Sequence, residues 1–143
     1  MTLDTNANYG ATLARLSLGG VLLSHGLLKA FVFTVPGTVA YFESLGLPAI
    51  TAHLTIFAEI VGGTAILLGL YTRLAALLSI PILLGALWAH AGNAWVFSSE
   101  GGGWEFPLLL VVLATTVAIQ GGGAFAIRRL PVIDDFMPPL LKA

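Results

Sequence analysis

AHLTIFAEIVGGTAILLGL, residues 52–70, decides the architecture. Leu54, Ile56, Phe57, Ile60, Val61, Ile66, Leu67 and Leu68 point in every direction around a helix, leaving no polar stripe of the kind a water-facing helix carries. The run is as long as the about 20 apolar residues needed to cross a hydrocarbon layer. After the tight turn Gly69 to Arg73 comes a second such run, LAALLSIPILLGALWAHAGNA, residues 74–94. Working outward, Leu13 to Phe33 and Trp104 to Gln120 form two more, so the sequence predicts an all-α, integral membrane, antiparallel four-helix bundle. It occupies residues 1–143 as one domain, with spans at about 13–33, 52–70, 74–94 and 104–120. Pro36-Gly37 and Leu45-Gly46-Leu47-Pro48 bracket the first connection, which has room for a short interfacial helix over Val39 to Ser44. Ser98 to Gly103 separates the third span from the fourth, and Gly121-Gly122-Gly123 closes the fourth.

Composition agrees. Of 143 residues, 57% are hydrophobic and 9% charged, and mean hydropathy is +0.95. A soluble domain carries about 25% charged residues, so these few could not clothe a water-facing surface. A net charge of -1 provides no basic field for nucleic acid. With no cysteine, disulfides, thiolate-held iron–sulfur clusters and CxxC relays are excluded. The polar stretch Met1 to Gly10 lacks the basic region of a signal peptide, so the first apolar run reads as a retained span.

Orientation follows from the cations. Arg15, Arg73, Arg128, Arg129 and Lys142 fall on one side of a four-span arrangement, and only Lys29, inside the first span, falls toward the other. This makes the arginine side cytoplasmic, with both termini inside a bacterial inner membrane. Trp88, Trp95, Phe97 and Trp104 gather at the opposite face, as an aromatic belt would. Arg15 is expected to snorkel to the headgroups.

Ionisable groups inside spans each cost about 2.5–3.5 kcal/mol at a helix centre on insertion scales, so they face the protein interior and mark functional sites. His25 and Lys29 are four apart and share a helix face. Glu59 sits mid-span, His90 toward the end of the third span, and Glu105 opens the fourth. All five fall in the middle or outer half of the membrane. Each also has a structural explanation: Lys29 can snorkel, Glu105 suits a helix N-terminus, His90 sits beside Trp88, Glu59 can pair with Lys29 or stay neutral by burial, and His25 can hydrogen-bond a neighbouring helix as a neutral imidazole. Gly19, Gly20 and Gly26, with Gly62, Gly63 and Gly69, permit close approach of the first two spans. Gly62 and Gly63 share the face of Glu59, which directs that carboxylate toward the first span.

Histidines and a membrane carboxylate suit proton exchange with a quinone, and a lysine suits a quinone carbonyl or developing negative charge. The expected catalytic groups are His25, Lys29 and Glu59, and the expected quinone-binding set adds His90, Trp104 and Glu105. A metal on His25, Glu59 and His90 is chemically acceptable, but no HxxE, HxH or HxxxH spacing occurs, so no metal site is assigned.

The ordered pieces Arg15-Leu-Ser-Leu-Gly19, His25-Gly26-Leu-Leu-Lys29 and Phe42-Glu-Ser-Leu-Gly-Leu-Pro48 resemble the DoxX (DoxX/DoxD-like) family of small four-span bacterial membrane proteins. So do Glu59-Ile-Val-Gly62-Gly63, Gly69-Leu-Tyr-Thr-Arg73-Leu-Ala-Ala76, His90, and Gly101-Gly-Gly-Trp-Glu105-Phe-Pro107. The resemblance covers about residues 10 to 135 and implies the four-helix fold. It also implies quinone-linked redox work: DoxD-type proteins are linked to thiosulfate:quinone oxidation, and some DoxX members to membrane oxidoreductase complexes. With neither flavin motif nor cysteine here, electrons come from a partner oxidoreductase subunit or directly from a small substrate. Two other functions fit the residues. One is a non-catalytic anchor or assembly factor; the other is a small-molecule or proton transporter, for which a homodimer would supply the room that one bundle lacks.

Overall fold

A computed structural model describes residues 3–127. Its elements are α1 (Leu3–Leu27), continued by a π-helical turn (Leu28–Val32), α2 (Val35–Ser44), α3 (Ala49–Leu68), α4 (Thr72–His90) and α5 (Glu105–Gln120). Three are long and apolar enough to span a membrane: α1 with its π-turn (Asp4–Val32), α3 and α4. α5 is apolar but has only 16 residues, about 24 Å at 1.5 Å per residue. The short helix of the first connection starts at Val35, earlier than Val39. Thr34 opens it as N-cap, its hydroxyl accepting from the N–H of Gly37 at 3.3 Å. Arg128, Arg129 and Lys142, used above for orientation, lie outside the described residues.

The helices form a ring in the order α1, α3, α4, α5, each antiparallel to its neighbours. Along α1, Arg15, Gly19 and Gly26 meet successively earlier parts of α3, at Leu67, Gly63 and Ile60. His25 meets Phe106 at the start of α5, while Thr12 meets the segment after its end. Gly69 (φ 74) ends α3, its N–H bonded to Ile66 O at 3.0 Å while Leu70 N–H reaches Ala65 O at 2.9 Å. Both satisfy last-turn carbonyls and reverse the chain into α4. Leu18, Leu22, Ile66, Ala76, Leu83, Leu110, Ala114 and Val117 fill the centre. The perimeter is apolar as well: Phe57, Leu78, Leu109 and Ile119 are all exposed. For a water-facing surface this would be untenable; it is the side that lipid covers.

α1 and α3 touch backbone to backbone. A Cβ on Gly19 would lie 2.8 Å from Leu67 N and 2.9 Å from Gly63 O, and one on Gly63 would lie 2.6 Å from Leu23 N. Gly26 faces Ile60 in the same way. Gly20 and Gly62, grouped with these in the sequence, have nothing within 4 Å of an added Cβ. Gly63 alone of the pair Gly62-Gly63 shares the packed face of Glu59.

Arg15 does not snorkel. It is 2% exposed, because α1 runs on toward the N-terminus as far as Leu3 and keeps Arg15 within the bundle. Its Nη1 donates to the carbonyls of Ile66 (3.2 Å) and Leu67, and Nη2 to that of Ala124 (3.4 Å). The guanidinium thus caps the carbonyls and negative dipole end of α3. Arg73 sits at the same end, its Nε buried without a partner among the described residues. Trp88, Trp95 and Phe97 are exposed at the opposite end.

Three substitutions test this packing by thermal unfolding in detergent. Gly63→Leu is destabilising by about 1–3 kcal/mol or more, since the clash is with backbone that cannot rotate away, whereas Gly62→Ala is neutral or stabilising by up to about 1 kcal/mol. Arg15→Met costs about 1–3 kcal/mol by removing the donor to the Leu67 carbonyl of α3.

Candidate functional site

At the end away from Arg15 and Arg73 the ring opens into a cavity of about 980 Å³, the upper range of small-molecule sites. Its position follows from side-chain size. α4 presents Gly85, Ala86 and Ala89 to it, and the α4–α5 loop presents Gly102 and Gly103, so little fills the space between α1 and α4. Leu22, Leu83 and Leu110 belong both to the core and to the cavity lining, and so form its floor. Phe33, Tyr41, Leu54 and Phe97 line it while being half or more exposed themselves. The cavity therefore opens on the apolar perimeter.

Among the described residues His25, Lys29, Glu59 and His90 line this space, which is otherwise apolar except for Tyr41, Thr51 and Thr55. Lys29 and Glu59 form a two-pronged ion pair, Nζ lying 2.8 Å from both Oε1 and Oε2, with side-chain exposures of 20% and 8%. Lys29 belongs to the π-helical turn, where Phe33 N–H bonds Leu28 O at 2.9 Å. Such turns break the four-residue register and recur at functional sites. The carbonyl of Lys29 accepts instead from the buried Thr38 hydroxyl of α2 at 3.0 Å, so α2 holds the lysine from outside while Glu59 holds it from within.

The two cavity histidines are fixed alike. His25 Nδ1 lies 2.9 Å from Val21 O, and His90 Nδ1 lies 2.8 Å from Ala86 O, each the carbonyl one turn back. A carbonyl only accepts, so Nδ1 donates and Nε2 is left for other partners. His53 makes the same bond to Ala49 O but is exposed and does not line this cavity; placement in the cavity is what distinguishes the other two. His25 also stacks on Phe106 (centroids 6.0 Å apart, planes at 29°).

Trp104 and Glu105, grouped with the binding residues in the sequence, do not line the cavity. Glu105 Oε1 accepts from Phe97 N–H at 2.8 Å, and Trp104 packs edge-on against Trp95 at 4.3 Å. Both shape the loop that carries Phe97, Gly102 and Gly103 into the wall. Thr51 and Thr55, which do line it, were missed. Their signal was present: they precede Glu59 by eight and four residues, on the same face of α3. The π-turn and the wall from Tyr41 and Phe42 of α2 had no sequence signal. Among the described residues, no group of three or more His, Cys, Asp or Glu side chains is arranged to hold a metal ion.

Comparison with known proteins finds the DoxX family model matching residues 10–92. That region contains His25, Lys29, Glu59 and His90, while Trp104 and Glu105 lie beyond it. A Bacillus subtilis protein named "Putative oxidoreductase CatD" is 30% identical over 128 residues, covering 90% of this chain and 87% of that protein. The inner membrane protein YqjF of Escherichia coli is 33% identical over 130 residues, 85% of this chain and 91% of that one. The membrane protein Rv3486 of Mycobacterium tuberculosis is 43% identical over 75 residues, 51% of this chain and 45% of its own. No solved structure matches. An all-helical membrane bundle with this match over residues 10–92 belongs to the DoxX family.

Proposed function

We propose that this protein is the membrane subunit of a quinone-linked oxidoreductase, holding a quinone head group among His25, Lys29, Glu59 and His90. It sits in a bacterial inner membrane with the arginine end and both termini cytoplasmic. The observation that carries this reading is a large apolar cavity, open on the lipid-facing perimeter, with four ionisable side chains along its wall. A lipophilic molecule reaches such a site from the bilayer, and its polar head finds partners only there. The name of the B. subtilis relative supports a redox role, and that of the E. coli relative supports the location.

A bound quinone would supply two-electron, two-proton chemistry, the electrons coming from a partner oxidoreductase subunit. The chain's own part is binding and proton handling. His25 and His90 each leave Nε2 without a helix partner, an imidazole nitrogen able to exchange a proton with a head group. Lys29 keeps one N–H beyond the two directed at Glu59, available to a carbonyl oxygen. Glu59 holds the ammonium in place, and the apolar wall excludes water.

An anchor or assembly role is the rival, favoured by the two-pronged Lys29–Glu59 pair, which would also serve as structural glue between the first span and α3. The two readings part on a double substitution. Breaking a buried pair from one side costs about 3–5 kcal/mol, whereas replacing both partners with apolar groups is near neutral. Glu59→Leu alone is therefore expected to destabilise strongly, and Lys29→Met with Glu59→Leu to recover most of that loss. On the quinone reading the recovered protein still fails to retain quinone, as measured by mass spectrometry of extracted lipophiles, whereas the unsubstituted protein retains it stoichiometrically. Absence of quinone from the unsubstituted protein, together with a co-purifying partner that the double variant still binds, would favour the anchor.

A further inference from the structure

We propose that the cavity selects the reduced, hydroxyl-bearing form of its ligand, a quinol, over the oxidised quinone; this rests on the quinone reading above. The selectivity comes from which hydrogen-bonding roles the wall has left to offer. His25 and His90 each direct Nδ1 at a carbonyl of their own helix, Val21 O and Ala86 O. In a neutral ring the single proton is then on Nδ1, and Nε2 carries only a lone pair. Nε2 lies across the ring from the Nδ1 that is bonded to the helix backbone, and both residues line the cavity. At His90 that edge passes Gly102, where an added Cβ would stand 3.5 Å from Nε2. The glycine keeps that edge from being crowded.

The wall thus offers two imidazole acceptors. Against them stands, among the described side chains of the wall, one obligate donor, the third N–H of Lys29, because the other two are directed at Glu59 Oε1 and Oε2. The hydroxyls of Thr55 and Tyr41 serve either role and do not discriminate. A quinone brings two carbonyl acceptors and no donor. Set against Nε2 lone pairs in an apolar cavity, it leaves acceptors on both sides unpaired, and unpaired buried polar groups are costly. A quinol brings two O–H donors, matching the two imidazoles, while its oxygens still accept from Lys29. The ring and alkyl tail of both forms meet the same apolar wall, so the tail contributes to affinity and not to the choice.

The test is anaerobic equilibrium binding to the full chain in lipid nanodiscs. It is run at one fixed, mildly alkaline pH for every probe. Three probes are compared: a decyl-substituted benzoquinone, the same molecule reduced to its quinol, and the dimethyl ether of that quinol. The quinol is expected to bind at least about tenfold more tightly than the quinone, as two added hydrogen bonds imply. The ether has the quinol's ring without its O–H groups and is expected to bind no better than the quinone. Replacing His25→Phe and His90→Phe together is expected to bring quinol affinity down to that of the quinone. If quinone and quinol bind equally, if the quinone binds more tightly, or if the ether matches the quinol, the proposed selectivity is wrong while the quinone site stands. If none of the three binds saturably, the quinone reading itself falls. The ether comparison uses the unsubstituted protein, so it decides the matter even where the double variant does not fold.

Discussion

The structure depends on how closely the backbones of α1 and α3 approach. Gly19 and Gly63 remove the side chains that would hold the helices apart, and Gly26 lets Ile60 and Glu59 press against α1 one turn before Lys29. In a bilayer, where lipid is as apolar as leucine, such close contact is what makes helices associate at all. The antiparallel register is set at the other end, where the Arg15 guanidinium takes carbonyls of Ile66 and Leu67. Once that register exists, Lys29 and Glu59 stand opposite each other and pair at 2.8 Å. The ion pair then closes the interface on the cavity side. A charge from either residue alone would be expensive in this setting, so the pair depends on the helix contact and reinforces it.

The bundle is consequently asymmetric along its axis. Around Arg15 the helices close on a core of leucines, alanines, Ile66 and Val117. Toward Lys29 the small residues of α4 and the glycines of the α4–α5 loop leave space unfilled, and the leucines at the junction become a floor. α2 and the loop lie over this half. They place Tyr41, Phe42 and Phe97 around it, with Trp104 and Glu105 holding the loop's shape from behind. One end is built for association and the other for accommodation.

Most of the fold was legible because membrane helices announce themselves by length and uniform apolarity, and the turns by glycine and proline. What escaped notice was whatever tertiary contact decides. Nothing in Leu28–Val32 forecasts a π-helical turn. Arg15 looked like a snorkelling residue because its depth depends on how far α1 extends beyond it. Gly62 and Gly63 are adjacent and chemically identical, and only packing tells which one touches α1. Within the site, the cost of burying charge picked out His25, Lys29, Glu59 and His90, and these four do line one cavity. Glu105 shares that signature, because a carboxylate near a helix start looks the same in sequence whether it faces a ligand or a loop N–H. Thr51 and Thr55 were passed over because a hydroxyl in a span is cheap and draws no attention.

The central claim is that a quinone head group occupies the cavity end of this bundle. Photolabelling with an azido-benzoquinone in native membranes, with competition by excess unlabelled quinone and peptide mapping by mass spectrometry, tests it most directly. The account predicts competed labels on residues of the cavity wall, on α2 around Tyr41 and Phe42 and on the loop at Phe97. Label confined to the lipid-facing surface, at Leu78 or Ile119 for example, and undiminished by competitor, would contradict it.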